Sequence, residues 1–367
     1  MKHSFFKTFY FPLFLFAIIL AAIGLANLYS ATTTIESQGA SVFFQAQMIY
    51  TCIGILVMLI LCFVNINFLY KMAPLIYVMT LVLLVLVLVI GSESHGSMSW
   101  LNLGFVRLQP SELAKFGMVI MLARYFSMLQ KDGPLSMKEL FVSSIFFLIP
   151  TVLVVLQNDL GSSLFYGFIF GSLVLIQGLR FRLIIVGILL ICVIAIIGFN
   201  FFLKDHHKNR IQSFMEPELD PKGTGYHLVQ SKIAVGSGRA FGKGYLKGQS
   251  HRLKFLPERH TDFVFPVLAE EWGFVGAAIT LFCYFLFLIS GVNIALYSET
   301  RFGFFLAIGI VATFFWHLVI NLGGVLGLLP LTGVPLPFLS YGGSSLVANW
   351  MALGFLLSIF RSGFKRY

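Results

Sequence analysis

MAPLIYVMTLVLLVLVLVI, residues Met72 to Ile90, carries no charged side chain in nineteen positions. A helix of that length measures about 28 Å, close to the roughly 30 Å hydrocarbon core of a bilayer. Leu183 to Leu203 has the same character. Working outward, hydropathy marks ten membrane spans, at about 9–29, 45–64, 72–90, 112–129, 139–156, 160–177, 183–203, 264–292, 302–320 and 343–360. The fourth to sixth are short for a full crossing, so they either tilt little or pair with re-entrant segments. Pro266 and Gly273 suggest that the long eighth run starts outside the bilayer or breaks.

Composition agrees. Of 367 residues, 58% are hydrophobic and 11% charged, and the mean hydropathy is +0.90, more apolar surface than a water-soluble core can hide. The expected fold is an all-α membrane protein, one polytopic domain over residues 1–367. Phe9 to Leu28 follows Lys2 and Lys7 but lacks a small-residue cleavage site, so it reads as a retained first helix. Cys52, Cys62, Cys192 and Cys283 all fall inside spans, without metal-ligand spacing or a disulfide framework.

The formal charge of +10 suits membrane topology and an anionic lipid substrate better than nucleic acid. With a cytoplasmic N-terminus, twelve Lys and Arg residues fall on the inner side, from Lys2 and Lys7 to Lys365 and Arg366. The short outer connections hold only Arg107 and Lys115, and long loops are exempt from the positive-inside rule. Ten spans then put both termini in the cytoplasm and one large loop, about 204–265, outside between the seventh and eighth helices. That loop is too polar and too rich in Gly and Pro for lipid, and its length marks it as functional or disordered. Tyr226 to Val235 within it has the pattern of an interfacial amphipathic helix.

The densest ionisable cluster is Pro257-Glu258-Arg259-His260-Thr261-Asp262, where that loop re-enters the membrane, followed by Glu270-Glu271-Trp272-Gly273. A carboxylate at this boundary can meet a substrate whose tail lies in the outer leaflet and whose head group is in water. An isolated Asp262 would more simply mark a solvated helix start, but the cluster and the loop before it favour chemistry. Glu112 and Lys115 are three apart on one face of a helix begun by Pro110, and serve either as a structural ion pair or as substrate contacts. Trp100 could equally be a membrane anchor. Asp159, between two spans, suits a helix cap. The proline-interrupted run from Leu329 to Ser345 cannot be a regular helix, and Ser340, Tyr341 and its glycine amides line a hydrated cavity or form a structural plug. Gly236, Gly238, Gly242 and Gly244 lack the strand-to-helix setting of a nucleotide loop. His317, inside the ninth run, reads as a packed, hydrogen-bonded histidine.

With these motifs in order, the sequence resembles the SEDS family of shape, elongation, division and sporulation proteins along essentially its whole length. The resemblance rests on Trp100 with its Leu-Gly segment, Gln109 to Lys115, Asp159-Leu160-Gly161, Pro257 to Asp262 and Pro335 to Ser345. Gly242 to Ser250 and the Pro-Glu-Arg-His-Thr-Asp motif resemble the RodA branch more than FtsW. Two residues depart from the pattern: Ser99 stands where many relatives carry Arg, and Asn158 where Pro is common.

The resemblance implies a peptidoglycan glycosyltransferase of the inner membrane, its active face extracytoplasmic. It would polymerise lipid II, the undecaprenyl-pyrophosphate disaccharide peptide, beside a class B penicillin-binding protein. Asp262 matches the family's essential acid. Trp100, Glu112, Lys115 and Asp159 match other functional positions, and His260 belongs to the same motif as Asp262. Lys115, Arg259 and Lys243, or a divalent cation such as Mg or Mn, are candidates for stabilising the leaving pyrophosphate. Two other classes compete: a lipid II flippase, which predicts alternating access and internal repeats not found here, and a non-catalytic scaffold. A division-specific role is the alternative within the family.

Overall fold

The computed structural model describes residues 10–32, 42–94, 97–102, 104, 107–129, 133–187, 189, 213–216, 223–248 and 260–363. Arg259, the later part of the seventh expected span and much of the long loop lie outside them. The elements are α1 (Phe11–Thr32), α2 (Val42–Cys62), α3 (Ile66–Ile90), β1 (Ser92–Ser94), β2 (Ser97–Asn102), β3 (Arg107–Leu108), α4 (Pro110–Met128), α5 (Met137–Leu156), α6 (Leu160–Gln177), α7 (Thr224–Ser237), α8 (Val264–Leu296), α9 (Arg301–Leu326) and α10 (Gly343–Gly363).

Among the described residues eight helices are long and apolar enough to cross a membrane. A ninth long helix, α4, carries Glu112, Lys115 and Arg124 and is buried over most of its length. Residues 181–187 are helical and begin the expected seventh span. The outward faces of α2, α3 and α5 are as apolar as their inward ones: Leu56, Ile60, Val78, Val82, Phe141 and Val152 are all exposed. Apolar surface all round a helix is the signature of lipid solvation. The core runs through α4, α9 and α10, which pack on one another and on their neighbours.

The connections sort into two ends. At one, Arg361 donates to the Phe63 carbonyl, Arg124 to those of Tyr70 and Lys71, and Leu135 N–H to Gly178 O. All these segments were expected on the inner side. At the other, Met98 N–H donates to Gln157 O, Tyr341 N–H to His260 O and Ser344 Oγ to Arg107 O. These were expected on the outer side. Here β1, β2 and β3 form a small antiparallel sheet, with Ser92 opposite Trp100 and Leu101 opposite Leu108. Lys115 is not in an outer connection; it lies in the second turn of α4, 1% exposed.

The α8 helix does break, at Gly273 (φ 68°, ψ −167°), a conformation open in practice only to glycine. The glycine-rich segment after α7 occupies the break. Lys243 and Gly244 N–H donate to the carbonyls of Glu270 and Glu271, while Phe274 and Val275 N–H donate to Arg239 and Ala240. Thus the groups freed by the broken helix are paired by a second strand of backbone, as burial in a membrane protein requires. The expected α7 helix is present, with Leu228, Ser231 and Ala234 buried and Ile233 exposed.

Candidate functional site

Asp262 lies two residues before α8, partly exposed, at the end that gathers β1–β3 and residues 327–342. Its Oδ2 is 3.5 Å from where a Cβ would stand on Gly333. Its carbonyl accepts from Asn321 Nδ2 at 3.1 Å, and the same nitrogen donates to Val334 O at 2.7 Å. Neighbouring aromatic rings form a wall. His260 lies 4.7 Å from Phe43 and 5.9 Å from Tyr341, and Phe43 meets Tyr341 edge-on at 5.2 Å. Burial, reinforced by Tyr50, pushes the Tyr341 phenol above its usual range and Arg107 partly offsets this. The phenol therefore stays a neutral donor at physiological pH.

The proline-rich run that passes this wall is held by side chains. Val334 O accepts from Asn321, Pro335 O from His317, Pro337 O from Tyr284 and Ser340 O from Gln47. Three helices thus supply the donors that a regular helix would have supplied itself. Ser340 is 3% exposed, and its hydroxyl accepts from Leu336 N–H. It closes this turn rather than lining a surface. Ser340 thus fits the plug reading, while Tyr341 packs against His260 and Phe43.

Glu112 and Lys115 are brought together, but inside the bundle. Lys115 Nζ donates to Glu112 Oε1 at 2.8 Å and lies 3.0 Å from His317 Nε2 and 5.3 Å from the Phe165 ring centre. The Pro335 carbonyl only accepts and the Lys115 ammonium only donates, so His317 must carry its proton on Nδ1 and accept at Nε2. With Glu112 5%, Lys115 1% and His317 2% exposed, the three form a buried polar chain inside the bundle.

Asp159 caps α6: its carboxylate accepts from Ser162 N–H at 3.0 Å and Ser162 Oγ at 2.8 Å, and from Gln109 Nε2 at 3.3 Å. The next turn reaches the same proline-rich run, since a Cβ on Gly161 would fall 2.7 Å from Thr332 O. Trp100 sits half-buried in β2, and its sheet leads through β3 to Arg107 beside Tyr341. Lys243 is committed to Glu270 at 2.6 Å, eight residues beyond Asp262. Among the described residues no three His, Cys, Asp or Glu side chains converge as a metal site.

This arrangement, one partly exposed carboxylate beside an aromatic wall at the end of a polytopic bundle, can be set against known proteins. A family profile described as cell cycle protein and covering FtsW, RodA and SpoVE matches residues 11–364. The chain belongs to the FtsW/RodA/SpoVE family. It is 38% identical to peptidoglycan glycosyltransferase MrdB of Escherichia coli, over 96% of this chain and 95% of that one. Stage V sporulation protein E of Bacillus subtilis is 35% identical over 97% of both chains. A chain from a peptidoglycan synthase complex that coordinates polymerization and crosslinking superposes with a TM-score of 0.82 at 30% identity, covering 97% of this chain and 98% of its own. Rod shape determining protein RodA of Thermus thermophilus gives 0.71 at 30% identity, covering 95% of each.

Within this family fold, three residues at the site were not singled out from the sequence. Asn321, immediately after the ninth apolar run, did leave a signal: an amide buried at a span end must be paired. Phe43, at the start of a span, and Gly333, one glycine among many, left none.

Proposed function

We propose that this chain is a peptidoglycan glycosyltransferase that polymerises lipid II during cell elongation. The observation that carries the reading is Asp262, a partly exposed carboxylate two residues before α8 and two after His260, whose ring meets Phe43 and Tyr341. Family membership and 38% identity to a peptidoglycan glycosyltransferase support it. The resemblance of Gly242 to Ser250 and of the Pro-Glu-Arg-His-Thr-Asp motif to the RodA branch supports elongation over division.

In this mechanism the Asp262 carboxylate takes the proton from the 4-hydroxyl of the acceptor GlcNAc as that oxygen attacks the anomeric carbon of the donor MurNAc. The bond to undecaprenyl pyrophosphate breaks, and the configuration inverts from α to β. One base suffices because pyrophosphate leaves without protonation, unlike the alcohol released in glycoside hydrolysis. The aromatic wall offers ring faces to the sugar, and Arg107 beside Tyr341 offers a charge to the departing phosphates. Among the described residues no cluster of carboxylates or histidines would by itself hold a divalent cation; were magnesium or manganese to bind with the substrate, Asp262 would be the carboxylate available to it. The cation's chemistry would be to neutralise the leaving charge.

The exposed end of the bundle that carries Asp262 would face outward from the inner membrane, where the lipid-linked disaccharide and a class B penicillin-binding protein are both accessible. The test is polymerisation of purified lipid II by the chain with that partner, with translocation scored separately in vesicles. General-base assistance is worth about 10² to 10⁴ in rate, so Asp262→Asn should lower polymerisation by that factor. A folded Asp262→Asn protein that polymerises normally, or a wild type that only translocates, refutes the reading. Depletion should make cells round rather than filamentous.

A further inference from the structure

Asn321 and His317 are one turn apart on α9, so both side chains face the proline-rich run. Asn321 uses a single amide nitrogen twice, with one N–H toward Asp262 O at 3.1 Å and one toward Val334 O at 2.7 Å. Both partners are carbonyls, so the orientation of the amide is fixed. His317 donates to the next carbonyl, Pro335 O, at 3.2 Å and faces Lys115 at 3.0 Å with its other nitrogen. Immediately before these anchored residues comes Gly333, where an added Cβ would stand 3.5 Å from Asp262 Oδ2. The carbonyl that Asn321 holds belongs to Asp262 itself.

We infer that Asn321 and His317 are positioning residues: Asn321 fixes the Asp262 backbone to residues 333–335, and His317 ties those residues to the buried Glu112–Lys115 pair. The inference deepens the glycosyltransferase reading and rests on Asp262 being its base. It also changes the meaning of Glu112 and Lys115. They act on the reaction through His317 and Pro335, along a chain of contacts of 2.8 Å from Glu112 to Lys115, 3.0 Å from Lys115 to His317 and 3.2 Å from His317 to Pro335, and touch no substrate. Asn321 is 5% exposed and His317 2%, so neither meets substrate directly.

The test uses the full-length chain reconstituted with its penicillin-binding partner and purified lipid II. It compares wild type with Asn321→Leu, His317→Leu, His317→Gln and the double leucine variant. A misplacement of about 1 Å can cost on the order of 10² in rate, so Asn321→Leu should lose about that much kcat while KM for lipid II is unchanged. His317→Gln keeps a donor and an acceptor and should recover most of the rate lost by His317→Leu. Residues that hold adjacent positions of one segment, as Asn321 and His317 hold 334 and 335, combine non-additively, so the double variant should lose less than the product of the two single losses.

Should Asn321→Leu fail to fold, Asn321→Asp, which keeps the volume but has no N–H for either carbonyl, takes its place. Normal kcat in a folded variant, a loss that falls on KM, or multiplicative losses in the double variant overturn the inference. A wild type without polymerase activity overturns the glycosyltransferase reading as well. An active wild type with unaltered variants overturns this inference alone.

Discussion

The buried pair Glu112–Lys115 makes a prediction about stability that does not depend on any activity. Lys115 is 1% exposed, 2.8 Å from Glu112 Oε1 and 3.0 Å from His317 Nε2. Removing one partner of a buried ion pair leaves an uncompensated charge, at a cost of about 3–5 kcal/mol. Glu112→Gln leaves the ammonium with two neutral acceptors, which places it near the lower end of that range. Lys115→Met leaves the carboxylate in the first turn of α4, where the helix dipole returns about 0.3–1 kcal/mol. It also deprives His317 Nε2 of its donor, at a cost of about 1–3 kcal/mol. The double variant Glu112→Gln/Lys115→Met buries no charge and keeps only that last loss. The double should therefore be more stable than either single variant, although simple addition of the single costs would predict about 6–10 kcal/mol.

Unfolding by SDS titration in mixed micelles, followed by tryptophan fluorescence, gives the four free energies. The rank order is the test, because it is insensitive to the absolute scale of such titrations. Single variants within about 1 kcal/mol of wild type would show that water reaches the pair. A double variant less stable than both singles would show that the two charges do not compensate each other. Either result refutes the buried polar chain.

Phe43→Ala removes one ring of the wall beside Asp262. Aromatic contacts are worth about 0.5–1.5 kcal/mol, so KM for lipid II should rise roughly two- to tenfold with kcat retained, as steady-state polymerisation assays can show. Gly273→Ala puts a Cβ 2.2 Å from the Gly242 nitrogen, in a conformation that costs a non-glycine residue about 1–3 kcal/mol. Hydrogen exchange should then quicken at the amides of Lys243, Gly244, Phe274 and Val275. Asn158 has φ 60°, and Asn158 and Asp159 N–H donate to Val155 and Val154 O in the αL ending of α5. Asn158→Gly should melt within a degree or two of wild type, whereas Asn158→Pro loses both the dihedral angle and an N–H and should melt well below it.

The departure at Asn158 shows what could and could not be read from the sequence. Proline was expected there by resemblance, and asparagine stood out only as a difference. The structure gives it a physical role, because asparagine tolerates the left-handed region that proline cannot enter. Spans were legible because lipid imposes one rule on every residue of a helix: the expected boundaries of the third, fifth and sixth spans agree with α3, α5 and α6 to within several residues. The breaks in α8 and after α9 were also legible, from Gly273 and from Pro330, Pro335 and Pro337. Partnership across the bundle was not. Nothing in the sequence spacing says that the segment around Gly242 and Gly244 pairs with the break at 273, or that β1–β3 would form in the outer connection around Trp100.

That difference explains where the site lies. In a regular membrane helix each carbonyl is used by the residue four positions on, so no side chain is needed to hold it. Proline at 330, 335 and 337 keeps this run out of a regular helix, so the carbonyls at 334, 335, 337 and 340 have no partner four residues on and are met by Asn321, His317, Tyr284 and Gln47. Each of these side chains comes from a different turn or helix, so the irregular run is fixed in space by α2, α8 and α9 together. Only a segment held in this way can serve as a floor for Asp262, whose own carbonyl shares a donor with Val334. The prolines therefore do more than end a helix: they expose backbone acceptors through which buried polar residues, among them Lys115 by way of His317, reach the carboxylate.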